Sequence, residues 1–121
     1  MSSDVSQHLV QYIVVRGDLQ WPVGALIGNA CHASVAAIVR HMSSGDKHTI
    51  EYIQHLESMT KVVLKADNEE VLRDVCHKLS QNSIAYHLWT EQPEGIITCV
   101  ATTPRPRDVL KPLLNHLKLF K

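Results

Sequence analysis

Asn29 and His32 stand three residues apart in a stretch of small side chains. On a helix both point to one face, with Ala25 one turn before Asn29. An imidazole so placed has two uses: a general base or phosphate-contacting donor, or a core side chain bonded to one backbone carbonyl. Cys31 beside His32 has the residue types of a nucleophile and its base. Adjacent helical side chains diverge by about 100°, however, which favours a packing role for the thiol. Thr90 and Glu91 fall where a strand-like run enters a loop, a frequent location for catalytic side chains and equally for ordinary turn chemistry.

Other chemistries lack their residues. The 8 histidines include no His-x-x-x-His pair, and Cys31, Cys76 and Cys99 offer no Cys-x-x-Cys spacing, so no metal or other cofactor is expected. Neither Gly-x-x-x-x-Gly-Lys nor Gly-x-Ser-x-Gly occurs, which removes phosphate-cradling loops and nucleophile elbows. The three cysteines lie among apolar neighbours and read as reduced, buried thiols. With no signal-peptide pattern after Met1 and no apolar run expected to span a membrane, a cytoplasmic protein is expected. The 12 basic and 12 acidic residues cancel, so any nucleic-acid contact must come from local asymmetry. The C-terminal Arg105, Arg107, Lys111, Lys118 and Lys121, opposed only by Asp108, supply one. A solvated tail explains the same charges.

These residues must be positioned by a single domain over 1–121, with a flexible segment over about 1–9. Tyr12 to Val15 reads as a strand covered on both faces, and Pro22 opens a long helix to about Met42. Ile50, Ile53 and Leu56 mark a short second helix. Val62 to Leu64 makes a second strand, followed by a helix capped by Asp67 and Glu70 with Val71, Leu72, Val75, Cys76 and Leu79 inward. Ser83–Trp89 and Ile96–Ala101 read as strands of a hairpin. A last helix opens at Arg105 to Asp108, with a kink or short first turn at Pro112. This order implies an α/β three-layer sandwich, a four-stranded mixed and mostly parallel sheet with helices on both faces.

Taken together, Val14-Val15-Arg16-x-Asp18-Leu19, Gly24 and Asn29-x-x-His32-Ala33 resemble the opening of the type II (archaeal and eukaryotic) peptidyl-tRNA hydrolase family, with its Arg-x-Asp-Leu, Gly-Lys and Gln-Cys-x-His-Ala motifs. Lys61 to Lys65 and His116-Leu117-Lys118-Leu119 are similar to that family's second strand and closing helix. Trp89-Thr90-Glu91-Gln92-Pro93-Glu94 looks more narrowly like the eukaryotic peptidyl-tRNA hydrolase domain-containing subgroup. The resemblance covers nearly the whole chain. It implies hydrolysis of the ester joining a peptidyl group to the 3′ end of tRNA.

The departures fall on the chemistry. The family's lysine is Ala25, its glutamine is Asn29, and a gap-free alignment puts Tyr86 at its aspartate while Thr90 keeps its threonine. The resemblance implies catalysis by Thr90, His32, Asn29 and Asp18 with water as nucleophile and no cofactor. Arg16, Arg105, Arg107, Lys111 and Glu91 are expected to bind tRNA. Arg16 and the Arg105–Arg107 pair would converge only if the first and last strands run parallel side by side. A catalytically silent tRNA- or protein-binding module is the rival reading, and the small-residue helix would also suit a homodimer.

Overall fold

In the computed structural model, which describes residues 8–121, β1 (Leu9–Arg16) runs through the centre of the sheet. The expected flexible segment largely falls on residues 1–7, outside the described residues, but Leu9 already belongs to β1. β1 pairs in parallel with β2 (Lys61–Ala66) and antiparallel with β4 (Ile96–Thr102), which pairs with β3 (Tyr86–Glu91) at one edge. Two short strands complete it. β5 (Arg105–Pro106) continues along β1 after β4, and β6 (Lys118–Leu119) pairs with β2. The sheet therefore has six strands rather than four, and among these pairings only β1 and β2 run parallel. Two-residue strands carry too little periodicity to be read from sequence, and parallelism depends on how the hairpin docks beside β1.

Alternation along β1 divides the core. Val10, Tyr12 and Val14 face α3 (Glu69–Gln81) and α4 (Arg107–Leu114), against Leu72, Val75, Leu79, Leu110 and Leu114. Ile13 and Val15 face α1 (Val23–Met42), against Leu26, Ala33 and Ala37. Small residues on that helix let it lie close to the strands. With 20 residues, α1 is long and apolar enough to cross a bilayer by length and composition, contrary to the sequence expectation, but here it forms one layer of the sandwich. α2 (Lys47–Ile53) is shorter than its periodicity suggested, since Leu56 falls in a 3-10 turn and is exposed.

Local chemistry corrects three boundaries. The α3 cap is Asn68, whose side chain accepts from Val71 N, rather than Asp67. At its other end Ser83 adopts φ 59°, with Ile84 N donating to Leu79 O and Ser83 N to Ser80 O. This Schellman turn consumes Ser83 to Ala85 and delays β3 to Tyr86. α4 begins at Arg107, with Arg105 and Pro106 in β5, and continues through Pro112.

Burial pushes the thiols of Cys76 and Cys99 up to about 11 and the Tyr52 hydroxyl up to about 12. Raised folded-state values leave stability intact below the ordinary thiol value of 9.0 and remove it as pH climbs toward 11. Each thiol should cost about 1.4 kcal/mol per pH unit in that window. The urea midpoint should hold to pH 9 and then fall, and a Cys76→Ala/Cys99→Ala variant should fall less steeply. Equal slopes for the two proteins would contradict this.

Candidate active site

The chain leaves β1 at Arg16, whose guanidinium forks onto the carboxylate of Asp18: Nε donates to Oδ1 at 3.0 Å and an Nη to Oδ2 at 2.8 Å. The other Nη donates to Ile97 O at 3.1 Å and lies 3.7 Å from Glu69 Oε1. Arg16 is nearly buried. Its hydrogen bonds hold the Asp18 carboxyl below the usual range, so this acid is ionised at neutral pH and faces solvent as an acceptor. Arg16, expected to touch tRNA, is instead a clamp on Asp18.

Across the sheet the register steps from Trp89↔Cys99 to Thr90↔Ile97, which leaves Thr98 as the extra residue of a β-bulge. The bulge turns Thr98 and Cys99 toward α1. Thr98 Oγ1 donates to Asn29 Oδ1 at 2.8 Å, Asn29 Nδ2 donates to Ala25 O at 2.7 Å, and Cys99 Sγ donates to Asn29 O at 3.3 Å. Asn29 is only 3% exposed, so its amide locks α1 onto β4 instead of reaching solvent.

His32 is exposed, not the core residue its alanine neighbours suggested. Its ring lies 4.7 Å from that of Trp89, tilted 30°, and the indole Nε1 donates to Glu91 Oε1 at 2.8 Å. The His87 ring lies 6.1 Å from the indole, and burial, with the charges of Arg40 and His41, holds its imidazole below the usual value. Cys31, expected to be buried, is exposed. Thr90 is exposed at the end of the same edge strand. Alternation gives it the face of Ile97, toward α3, while Trp89 packs toward α1.

One end of the sheet thus gathers Asp18, Arg16, Asn29, His32, Thr90 and Glu91, with the sheet edge between Thr90 and His32. The other expected residues lie elsewhere. Tyr86 opens β3 opposite Thr102, where its hydroxyl accepts from Ser80 Oγ and its ring packs in the α3 layer. Arg105 pairs with Val10 at the beginning of β1, so the antiparallel arrangement separates it and Arg107 from Arg16. Arg105 also has an unexpected counter-charge, Asp46, at 2.8 Å. Lys111 is exposed on α4.

Sequence reasoning missed Thr98, Lys65 and the use of Trp89. Nothing local marks Thr98, since a bulge is a property of two strands. Lys65 lays its stem over Gly17, where an added Cβ would meet Lys65 Cδ at 2.5 Å, and so brings a cation toward the end that lacks one at Ala25. Trp89 was visible as an aromatic two residues after His87.

Comparison with known proteins identifies the family. Residues 9–120 match the family model "Peptidyl-tRNA hydrolase PTH2". The chain is 44% identical to the Homo sapiens protein named "Putative peptidyl-tRNA hydrolase PTRHD1", over 95% of this chain and 84% of that one, and 43% identical to its Mus musculus counterpart over the same shares. It is 30% identical to the "Peptidyl-tRNA hydrolase" of Thermococcus onnurineus, over 90% of this chain and 95% of the archaeal one. These matches run over nearly the whole chain, and the chain belongs to the type II peptidyl-tRNA hydrolase family, in its eukaryotic PTRHD1-like subgroup.

Proposed function

We propose that this protein is a peptidyl-tRNA hydrolase, cleaving the ester between a peptidyl or other N-blocked aminoacyl group and the 3′ end of tRNA in the cytoplasm. The observation that carries the reading is the gathering of an ionised carboxylate, a free hydroxyl and an exposed imidazole at one sheet end in a chain of this family. Water attacks the ester carbonyl, and Thr90 Oγ1 orients that water or the carbonyl oxygen. His32, or the Asp18 carboxylate that Arg16 holds in place, accepts the proton of the water. The carbonyl carbon–ribose oxygen bond breaks, and the ribose hydroxyl regains a proton. Asn29 acts as a positioning residue that fixes the His32 turn of α1 against β4. No cofactor enters this scheme.

Phosphates of the tRNA body would meet Arg107 and Lys111 rather than Arg16 or Arg105, which are engaged internally. Each lost phosphate contact should lower the salt slope of binding by about one. Self-association through the first turns of α1 belongs to the same reading, because Val23 and Ile27 are more than half exposed there. A purely monomeric sedimentation profile removes that part.

The test is purified protein incubated with N-acetyl-aminoacyl-tRNA. Release of the acylated amino acid that scales with enzyme supports the proposal. Release no faster than buffer at high enzyme concentration, from protein that still binds tRNA, overturns it.

A further inference from the structure

A depression of about 450 Å³ opens on the exposed side of α1, walled by His32, Val35, Ala36, Val39, Arg40 and Trp89. Its floor and rim have unlike chemistry. The floor is the half-buried indole of Trp89 with the His32 ring against it at 4.7 Å. The indole N–H is already spent on Glu91, which fixes the ring plane and leaves the Trp89–His32 aromatic pair as the recognition element. The rim is cationic. Arg40 supplies the charge: it is exposed and takes part in none of the ion pairs among the described residues.

A flat aromatic floor with a free guanidinium at its edge suits a planar group that carries a phosphate. Single-stranded nucleic acid presents that pair repeatedly, a base to stack and a phosphodiester within one nucleotide of it. A duplex does not, because its bases are stacked on each other. An apolar peptide would fill the floor but leave Arg40 without a counter-charge.

Resting on the hydrolase reading above, we infer that Trp89 and His32 form a stacking platform for an unpaired base of the single-stranded tRNA 3′ end, with Arg40 on the adjoining phosphate. Trp89 and Thr90 are consecutive on the edge strand β3. Their side chains leave the strand on opposite faces, so a base seated on the indole lies at the sheet edge with Thr90 on its other side. The platform also accounts for single-strand recognition by a protein without net charge, since stacking is insensitive to base identity and a few cations suffice at a chain end.

The chain has two tryptophans, so in a Trp21→Phe background the emission comes from Trp89 alone. The probes are a single-stranded ribonucleotide ending in 3′-ACCA and two RNA minihelices, one with that overhang and one blunt. The single strand and the overhang minihelix should quench Trp89 saturably, and the blunt minihelix should not. Trp89→Leu should weaken binding of the single strand roughly 5- to 150-fold, and Trp89→Phe should retain most of it. Arg40→Ala, at an exposed helix position, should lower the salt slope by about 0.7 with unchanged circular dichroism. If the overhang minihelix binds by gel shift while Trp89 emission stays constant, the platform is wrong and the hydrolase reading stands. If no RNA binds at all, both fail.

Discussion

His32→Ala is expected to lower hydrolysis of N-blocked aminoacyl-tRNA by about 10²- to 10⁴-fold, the usual consequence of losing a general base. The imidazole has the needed access, since it is exposed and its described contact is a stack on Trp89. The same stack complicates the measurement, because alanine removes a proton acceptor and part of the platform together. His32→Asn separates them by keeping a planar group against the indole without a base. A fall in kcat shared by both variants is lost proton transfer, and a rise in KM confined to alanine is lost stacking. If kcat is unchanged in both, the proton goes elsewhere, and Asp18→Asn becomes the informative variant. Thr90→Val should also be impaired while folding normally, because Thr90 is exposed and makes no side-chain hydrogen bond among the described residues.

The elements that carry these residues were legible because each has a local cause. β1 is a run of β-branched and aromatic residues, α1 begins after Pro22 without interruption, and the hairpin is marked by Pro93 and Gly95. Chemistry that depends on two elements at once was not legible. Asn29 and His32 share a helix face by spacing, yet one is buried and the other exposed, since the bulge at Thr98 rises to meet Asn29 while His32 meets only the edge strand. The cations misled for the same reason. Arg105 looked free because Asp46 is 59 residues away in the chain, and Arg16 looked free until Asp18 folded back onto it.

Gln11 gives the sharpest case, because it shares the α1 face of β1 with Ile13 and Val15 and is completely buried there although its side chain is polar. Its Nε2 donates to Thr102 O at 2.9 Å and Ser34 O at 3.2 Å, and its Oε1 accepts from Ser34 Oγ at 2.7 Å and Lys61 Nζ at 2.6 Å. One amide thereby ties β1 to β4, α1 and β2. Gln11→Ala removes all four bonds and opens a cavity. Lys61, an exposed residue, would keep Tyr52, with Oη at 3.4 Å and the ring centre at 5.2 Å, and turn to solvent. The buried Ser34 hydroxyl and the Ser34 and Thr102 carbonyls would lose their partner, which together with the cavity should cost about 2–4 kcal/mol, a large part of the stability of a domain this size. Urea denaturation measures it. A loss under about 1 kcal/mol would mean that water replaces the amide and the tie is not structural. Gln11→Leu combined with Lys61→Met should recover part of the loss by refilling the cavity with apolar volume, while the Ser34 and Thr102 carbonyls stay without the amide. The recovered protein should still hydrolyse its substrate, since neither residue reaches the sheet end where Asp18, His32 and Thr90 gather. Gln11→Ala should lose activity only in proportion to its unfolded fraction.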